Sequence, residues 1–190
     1  EPESSTSQVW EAPSTMGALI AVVAGAPAWM SIPSAPTVRL HQLTAAIISR
    51  GTFGLRFDSI TRTASETFRV RAGNCLSFSN MFVAMARSVG LVASFQEVEI
   101  PPDWSLQNDV FVLNRHVNVR VGLGPAGERV VDFNIDDFRA SYDTRTITDS
   151  EALAHYFNNV GVERMQSGDA VAAVCYFRRA VAAGERRFSP

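Results

Sequence analysis

The stretch Arg71-Ala72-Gly73-Asn74-Cys75-Leu76-Ser77-Phe78-Ser79-Asn80-Met81-Phe82-Val83-Ala84-Met85-Ala86-Arg87-Ser88-Val89-Gly90-Leu91 has the pattern of a polar turn running into one long helix. Leu76, Phe78, Met81, Phe82, Met85, Ala86 and Val89 recur at i, i+3 and i+4 spacing, so one broad face is apolar. Gly90 closes the helix. Cys75 falls where the helix begins. There the free backbone N–H groups and the positive end of the helix dipole favour a thiolate and, above it, an oxyanion. Gly73 would let the backbone pass close to a substrate. Asn74 is read as a cap or turn residue and as a candidate oxyanion donor. Arg69 and Arg71 add positive charge near the turn.

A cysteine nucleophile needs a base, and the base is expected on another element. His116 lies 41 residues further on, inside a run carrying Val110, Val112, Val117 and Val119. Of the three histidines, it alone sits in a strand after the cysteine helix. Asp132 follows 16 residues later, inside Val130-Val131-Asp132-Phe133. An aspartate within an apolar strand needs a partner to offset its desolvation. The turn Gly122-Leu123-Gly124-Pro125-Ala126-Gly127 predicts a hairpin that would set His116 and Asp132 on adjacent strands. Bonding to the imidazole would fix its tautomer. Asp136 and Asp137 are rivals in a more polar stretch.

These motifs resemble those of the transglutaminase-like superfamily. There a Gly-x-Cys opens a helix that ends in a Gly-Leu/Ile signature, followed by a His-bearing strand and an aspartate strand. The resemblance covers residues 52–138. It implies an α+β fold of papain or transglutaminase-like type, with the nucleophile at the N-terminus of a helix packed on an antiparallel sheet. It also implies Cys75 as nucleophile, His116 as base and Asp132 as orienter. Two positions depart from the family pattern. Asn118 stands two after the histidine, where many members have an aromatic residue, and Phe133 follows the aspartate, where proline is frequent. Both bear on the substrate class. Asn118 joins Gly73 and Asn74 as a substrate or oxyanion candidate.

Outside this core, residues 38–49 have helical periodicity and end at Gly51 and Gly54. Phe53, Leu55 and Phe57 alternate briefly, and Thr63-Ala64-Ser65-Glu66 resembles a helix start. Residues 91–100, 109–121 and 129–133 read as strands, the first stopped by Pro101-Pro102. From Asp149 the pattern turns helical, with Asp149 or Ser150 as cap, a turn at Ser167-Gly168-Asp169 and a second helix over residues 170–183. This pair resembles a tetratricopeptide repeat. Gly161, Ala173, Phe177 and Ala180 fall at its small and aromatic positions, and Arg164 replaces its usual tyrosine. A lone repeat must pack on something else, and the resemblance implies a protein partner. Cys175, within the second helix, is read as a small buried hydrophobe. The expected division is a polar linker over residues 1–15, the transglutaminase-like domain over 16–148 and the helical hairpin over 149–190.

Composition restricts the remaining classes. The 190 residues are 46% hydrophobic and 19% charged, as in a globular domain. A net charge of −2 gives no bulk attraction to nucleic acid or to an anionic membrane. Two cysteines build no disulfide framework. The apolar run over residues 16–30 contains Gly17, Gly25 and Pro27, is too short to span a membrane, and is read as core. The polar opening residues favour an exported, periplasmic location over a cytoplasmic one. No cofactor is expected. One cysteine, one histidine and one aspartate could bind zinc, but no Cys-x-x-Cys or His-x-x-x-His spacing accompanies them. The four aspartates over residues 132–143 lack the ligand spacing of a calcium loop. The reaction expected is hydrolysis of a peptide or amide bond through a thioester. The alternatives are protein cross-linking and a catalytically silent scaffold.

Overall fold

The computed structural model describes residues 35–48, 53–107, 110–133 and 142–185. The linker over residues 1–15, the apolar run over 16–30 and the rival aspartates Asp136 and Asp137 lie outside them. Helix α1 (Pro36–Ile48) leads to a short strand β1 (Arg56–Phe57), helix α2 (Ala64–Val70), strand β2 (Ala72–Gly73) and helix α3 (Cys75–Ser88). Strands β3 (Val92–Gln107), β4 (Val110–Gly122), β5 (Glu128–Val131) and β6 (Asp143–Ile147) follow, then helices α4 (Asp149–Gln166) and α5 (Ala170–Glu185). Among the described residues, five α-helices and an antiparallel sheet make this an α+β fold. The sheet order is β5-β4-β3-β6, and β1 pairs in parallel with β2 in a separate two-stranded ribbon. Among the described residues, no helix is long and apolar enough to cross a membrane.

The core forms where α3 meets the sheet. Leu76, Phe78, Met81, Phe82, Val83 and Ala86 of α3 are buried in one cluster with Ala93, Phe95, Val117, Val119, Val121 and Val131 from the strands. Leu40, Leu43 and Ile47 of α1 complete it. The i, i+3, i+4 spacing of α3 is therefore the spacing of its buried stripe. Gly90 ends the helix with φ +73°, a left-handed turn open to glycine. The Leu91 N–H reaches back to the Ala86 carbonyl at 3.0 Å and the Gly90 N–H to that of Arg87 at 3.0 Å.

Three features differ from the sequence expectation. Pro101-Pro102 do not end β3. Pairing passes from Val98↔His116 to Asp103↔Asn114, so β3 takes five steps while β4 takes two, and the prolines fall inside that irregularity. A bulge tolerates a residue that has no N–H to donate. β6 was not anticipated: its first four residues are exposed and only Ile147 is buried, so no apolar alternation marks it. Its anchor is ionic, with Arg145 bonded to the buried Glu97 of β3 at 2.7 Å and to Glu151 of α4 at 2.7 Å. Finally, the cap of α4 is Thr148 rather than Asp149 or Ser150. Its side chain accepts the Glu151 N–H, and Glu151 bonds back to the Thr148 N–H at 2.8 Å.

α4 and α5 pack on each other across the Ser167-Gly168-Asp169 turn. A Cβ on Gly161 would lie 2.6 Å from the Phe177 ring, so the glycine is where the two helices approach closely. Cys175 is exposed, contrary to the expectation of burial, on the same side of α5 as the exposed Val171 and Val174.

Candidate active site

The hairpin register builds the His–Asp pair. β4 and β5 pair as Val119↔Val131 and Gly122↔Glu128. One further step sets Asp132 opposite Asn118, with His116 diagonally beyond it, a distance that long side chains bridge. The His116 Nε2–H donates to Asp132 Oδ2 at 2.6 Å, and Asn118 Nδ2 donates to the same oxygen at 3.0 Å. His116 is 8%, Asp132 6% and Asn118 1% exposed, so these bonds are shielded from water.

With Nε2 committed to Asp132, the ring also has Cys75 close enough to act on its titration. Burial alone would lower the imidazole pKa. The bond from Asp132 and the contact with Cys75, together with the charges behind both, outweigh it and raise His116 to about 10. The buried ring is therefore held as imidazolium through neutral pH.

α3 brings Cys75 to that ring. Asn74 is the N-cap, and its Oδ1 accepts the Ser77 N–H at 2.9 Å and the Ser77 hydroxyl at 2.9 Å. Its Nδ2 donates to Thr61 Oγ1 at 2.8 Å, so both ends of the amide are engaged within the chain. Gly73 pairs with Phe57 across the β1–β2 ribbon. A Cβ there would lie 2.6 Å from Ser77 Cβ, so its missing side chain admits the first turn of α3. One turn beyond Cys75, the fully buried Ser79 donates to the Val117 carbonyl at 3.0 Å. That bond fixes α3 against the strand residue next to His116. Neither Ser79 nor the Asn118–Asp132 bond was singled out as part of the site in the sequence. A serine within an apolar helix stripe was the available signal for Ser79. Arg71 sets its guanidinium over the Phe53 ring, 5.3 Å from the centroid.

An aromatic stack adjoins the site. Phe133, next to Asp132, stacks on Phe78 at 5.1 Å and on Phe57 at 6.3 Å between centroids. A cavity of about 420 Å³ between α1 and β5 touches Asp132 but includes neither Cys75 nor His116, so an acyl group held there would not meet the thiol. Among the described residues, no cluster of His, Cys, Asp and Glu could hold a metal ion.

The site is thus a helix-borne cysteine over an antiparallel sheet that carries a buried His–Asp pair. The family model described as the transglutaminase-like superfamily matches residues 30–123, just under half of the chain, and over that span the chain is similar to that superfamily. The match includes Cys75 and His116 and ends before Asp132. No curated protein and no solved structure gives a significant match.

Proposed function

We propose that the protein is a cysteine-dependent acyl-transfer enzyme that hydrolyses a peptide or amide bond through a thioester. The observation that carries this is the buried His116, bonded to Asp132 at 2.6 Å through Nε2, with Cys75 at the start of α3 close enough to raise its pKa. Cys75 attacks the carbonyl carbon as thiolate, and the carbonyl electron pair moves onto oxygen, facing the N-terminal amides of α3. As the C–N bond breaks, the His116 imidazolium protonates the departing amine. Neutral His116 then takes a proton from water, which attacks the thioester. The C–S bond breaks, releasing the carboxylic acid and restoring the thiolate. Asp132 holds the ring orientation and favours the imidazolium; Asn118 holds Asp132.

The competing reading is a silent scaffold that binds a protein partner through α4 and α5, and the exposed Val171, Val174 and Val181 of α5 favour it. The pH dependence of iodoacetamide labelling at Cys75 separates the two. An enzyme of this type labels rapidly well below the free-thiol pKa of about 8.5, and loses that reactivity in His116→Ala. A thiol that follows ordinary ionisation and ignores the histidine would leave only the scaffold.

A further inference from the structure

The loop over residues 58–63 is held between the nucleophile helix and α4. On one side, the Arg62 N–H donates to Ser77 Oγ at 2.8 Å, and the Arg62 guanidinium reaches the Ala72 carbonyl at 3.1 Å. Thr61 Oγ1 accepts Asn74 Nδ2 at 2.8 Å. On the other side, the Thr61 N–H donates to Glu163 Oε1 at 2.7 Å, bridging 102 residues of sequence. Thr61 is 6% exposed.

Glu163 is badly placed for α4 itself. It lies in the last turn, where the helix dipole is negative and a carboxylate is disfavoured. Its compensation comes from outside the helix, through the Thr61 N–H. Hydrogen bonds at the backbone N–H and at the hydroxyl of Thr61 thus join Glu163 to Asn74 and, through Asn74, to the Ser77 N–H, two residues from the thiol.

We infer that Glu163 is a positioning residue for the nucleophile. Through Thr61 it orients the Asn74 cap, and so the amides at the start of α3 that face the Cys75 sulfur. This rests on the acyl-transfer reading and extends it: α4 becomes part of the machinery that prepares the thiol, and whatever displaces α4 also loosens the cap.

The test is the rate of iodoacetamide labelling of the full chain across pH, with Cys75 and Cys175 quantified separately by peptide mass spectrometry. The exposed Cys175 serves as internal reference. Glu163→Ala should slow Cys75 labelling near neutral pH by about five- to tenfold, the range of one ordinary hydrogen bond, and move its pH midpoint upward. Cys175 should label as in the parent. Glu163→Gln keeps an oxygen that accepts the Thr61 N–H and should retain the parent rate. Thr61→Val breaks the next link at nearly constant volume and should reproduce the slowing even if Glu163→Ala fails to fold. Parent-like labelling in Glu163→Ala and Thr61→Val, or equal losses in the Ala and Gln variants, would overturn the inference. If the parent Cys75 proves an ordinary thiol, the acyl-transfer reading falls, and hydrogen exchange at the Ser77 amide still decides the coupling. Faster exchange in Glu163→Ala and Thr61→Val, but not in Glu163→Gln, supports it; unchanged exchange overturns it.

Discussion

In the proposed acyl-transfer reading the protonation state of His116 carries the chemistry, and replacing Asp132 by asparagine perturbs it with least change in shape. Burial lowers the imidazole pKa, yet the Asp132 bond and the Cys75 contact raise it from 6.5 to about 10. At about 1.4 kcal/mol per unit, the imidazolium is favoured by on the order of 5 kcal/mol, shared between its two partners. Asparagine can still accept the Nε2–H but supplies no charge, leaving Cys75 alone against the desolvation. The His116 titration should then fall by about 2 units or more, roughly 3 kcal/mol. Long-range proton–nitrogen NMR resolves it from the other two histidines, His41 and His155. A parent His116 that titrates at or below 6.5, or an Asp132→Asn protein that titrates like the parent, would refute the argument.

The same shift has a signature in stability. A folded pKa above the unfolded value means that the folded protein keeps a proton the unfolded chain has lost. The contribution is complete below about pH 6.5, shrinks by about 1.4 kcal/mol per pH unit above it, and is gone once pH passes the folded value. Denaturant unfolding of Cys75→Ser removes the thiol's own titration from this range. It should show that decline over a narrower range, since the Cys75 contribution is lost while that of Asp132 remains, and adding Asp132→Asn should flatten it.

Further outcomes follow from the packing. Ser79→Ala removes the buried bond to the Val117 carbonyl and should destabilise by about 1–3 kcal/mol in chemical denaturation, with the orphaned carbonyl accounting for much of it. Phe82→Ala, at a fully buried position of α3, should cost about 3–5 kcal/mol by the same measurement. Glu151 is lowered to about 2, because the Thr148 and Arg145 bonds outweigh the desolvation that would raise it. Its contribution is present above about 4.5 and lost as pH falls toward 2. Glu151→Gln should flatten the stability profile over that acid range by lowering stability near pH 7, where the ionised carboxylate contributes, while leaving it nearly unchanged below pH 2.

The parts legible in the sequence are those written in local periodicity. The apolar stripe of α3 and the glycine-rich turn between β4 and β5 fix a helix and a hairpin register, and those two elements carry Cys75, His116 and Asp132. β6 was illegible because four of its five residues face water and its anchor, Arg145 to Glu97, joins residues 48 apart. The Pro101-Pro102 stop misled because proline forbids a ladder bond, not a bulge. Gly73 shows how one residue supports two explanations. Freedom to approach a substrate and freedom to approach Ser77 look identical in sequence, and only the 2.6 Å contact tells which neighbour is there. Glu163 was passed over because nothing near it in the chain explains it; its partner is a backbone N–H 102 residues away.

The balance of charge around Asp132 connects these observations. A carboxylate 6% exposed is unfavourable unless opposed, and the charge that opposes it is the His116 imidazolium, with Asn118 donating a second bond to the same oxygen. Such a pair is a poor source of stability, since an apolar pair of similar volume avoids the desolvation altogether. The imidazolium also has Cys75 close by, at the positive end of α3. A buried ion pair serving only to hold the fold would have no need of a thiol beside its imidazole. It would have no need either of a helix whose cap is braced from α4 through Thr61 and Asn74. In the acyl-transfer reading proposed above, the cost of burying the pair is matched to one task, which is keeping a proton beside a sulfur until a leaving group requires it.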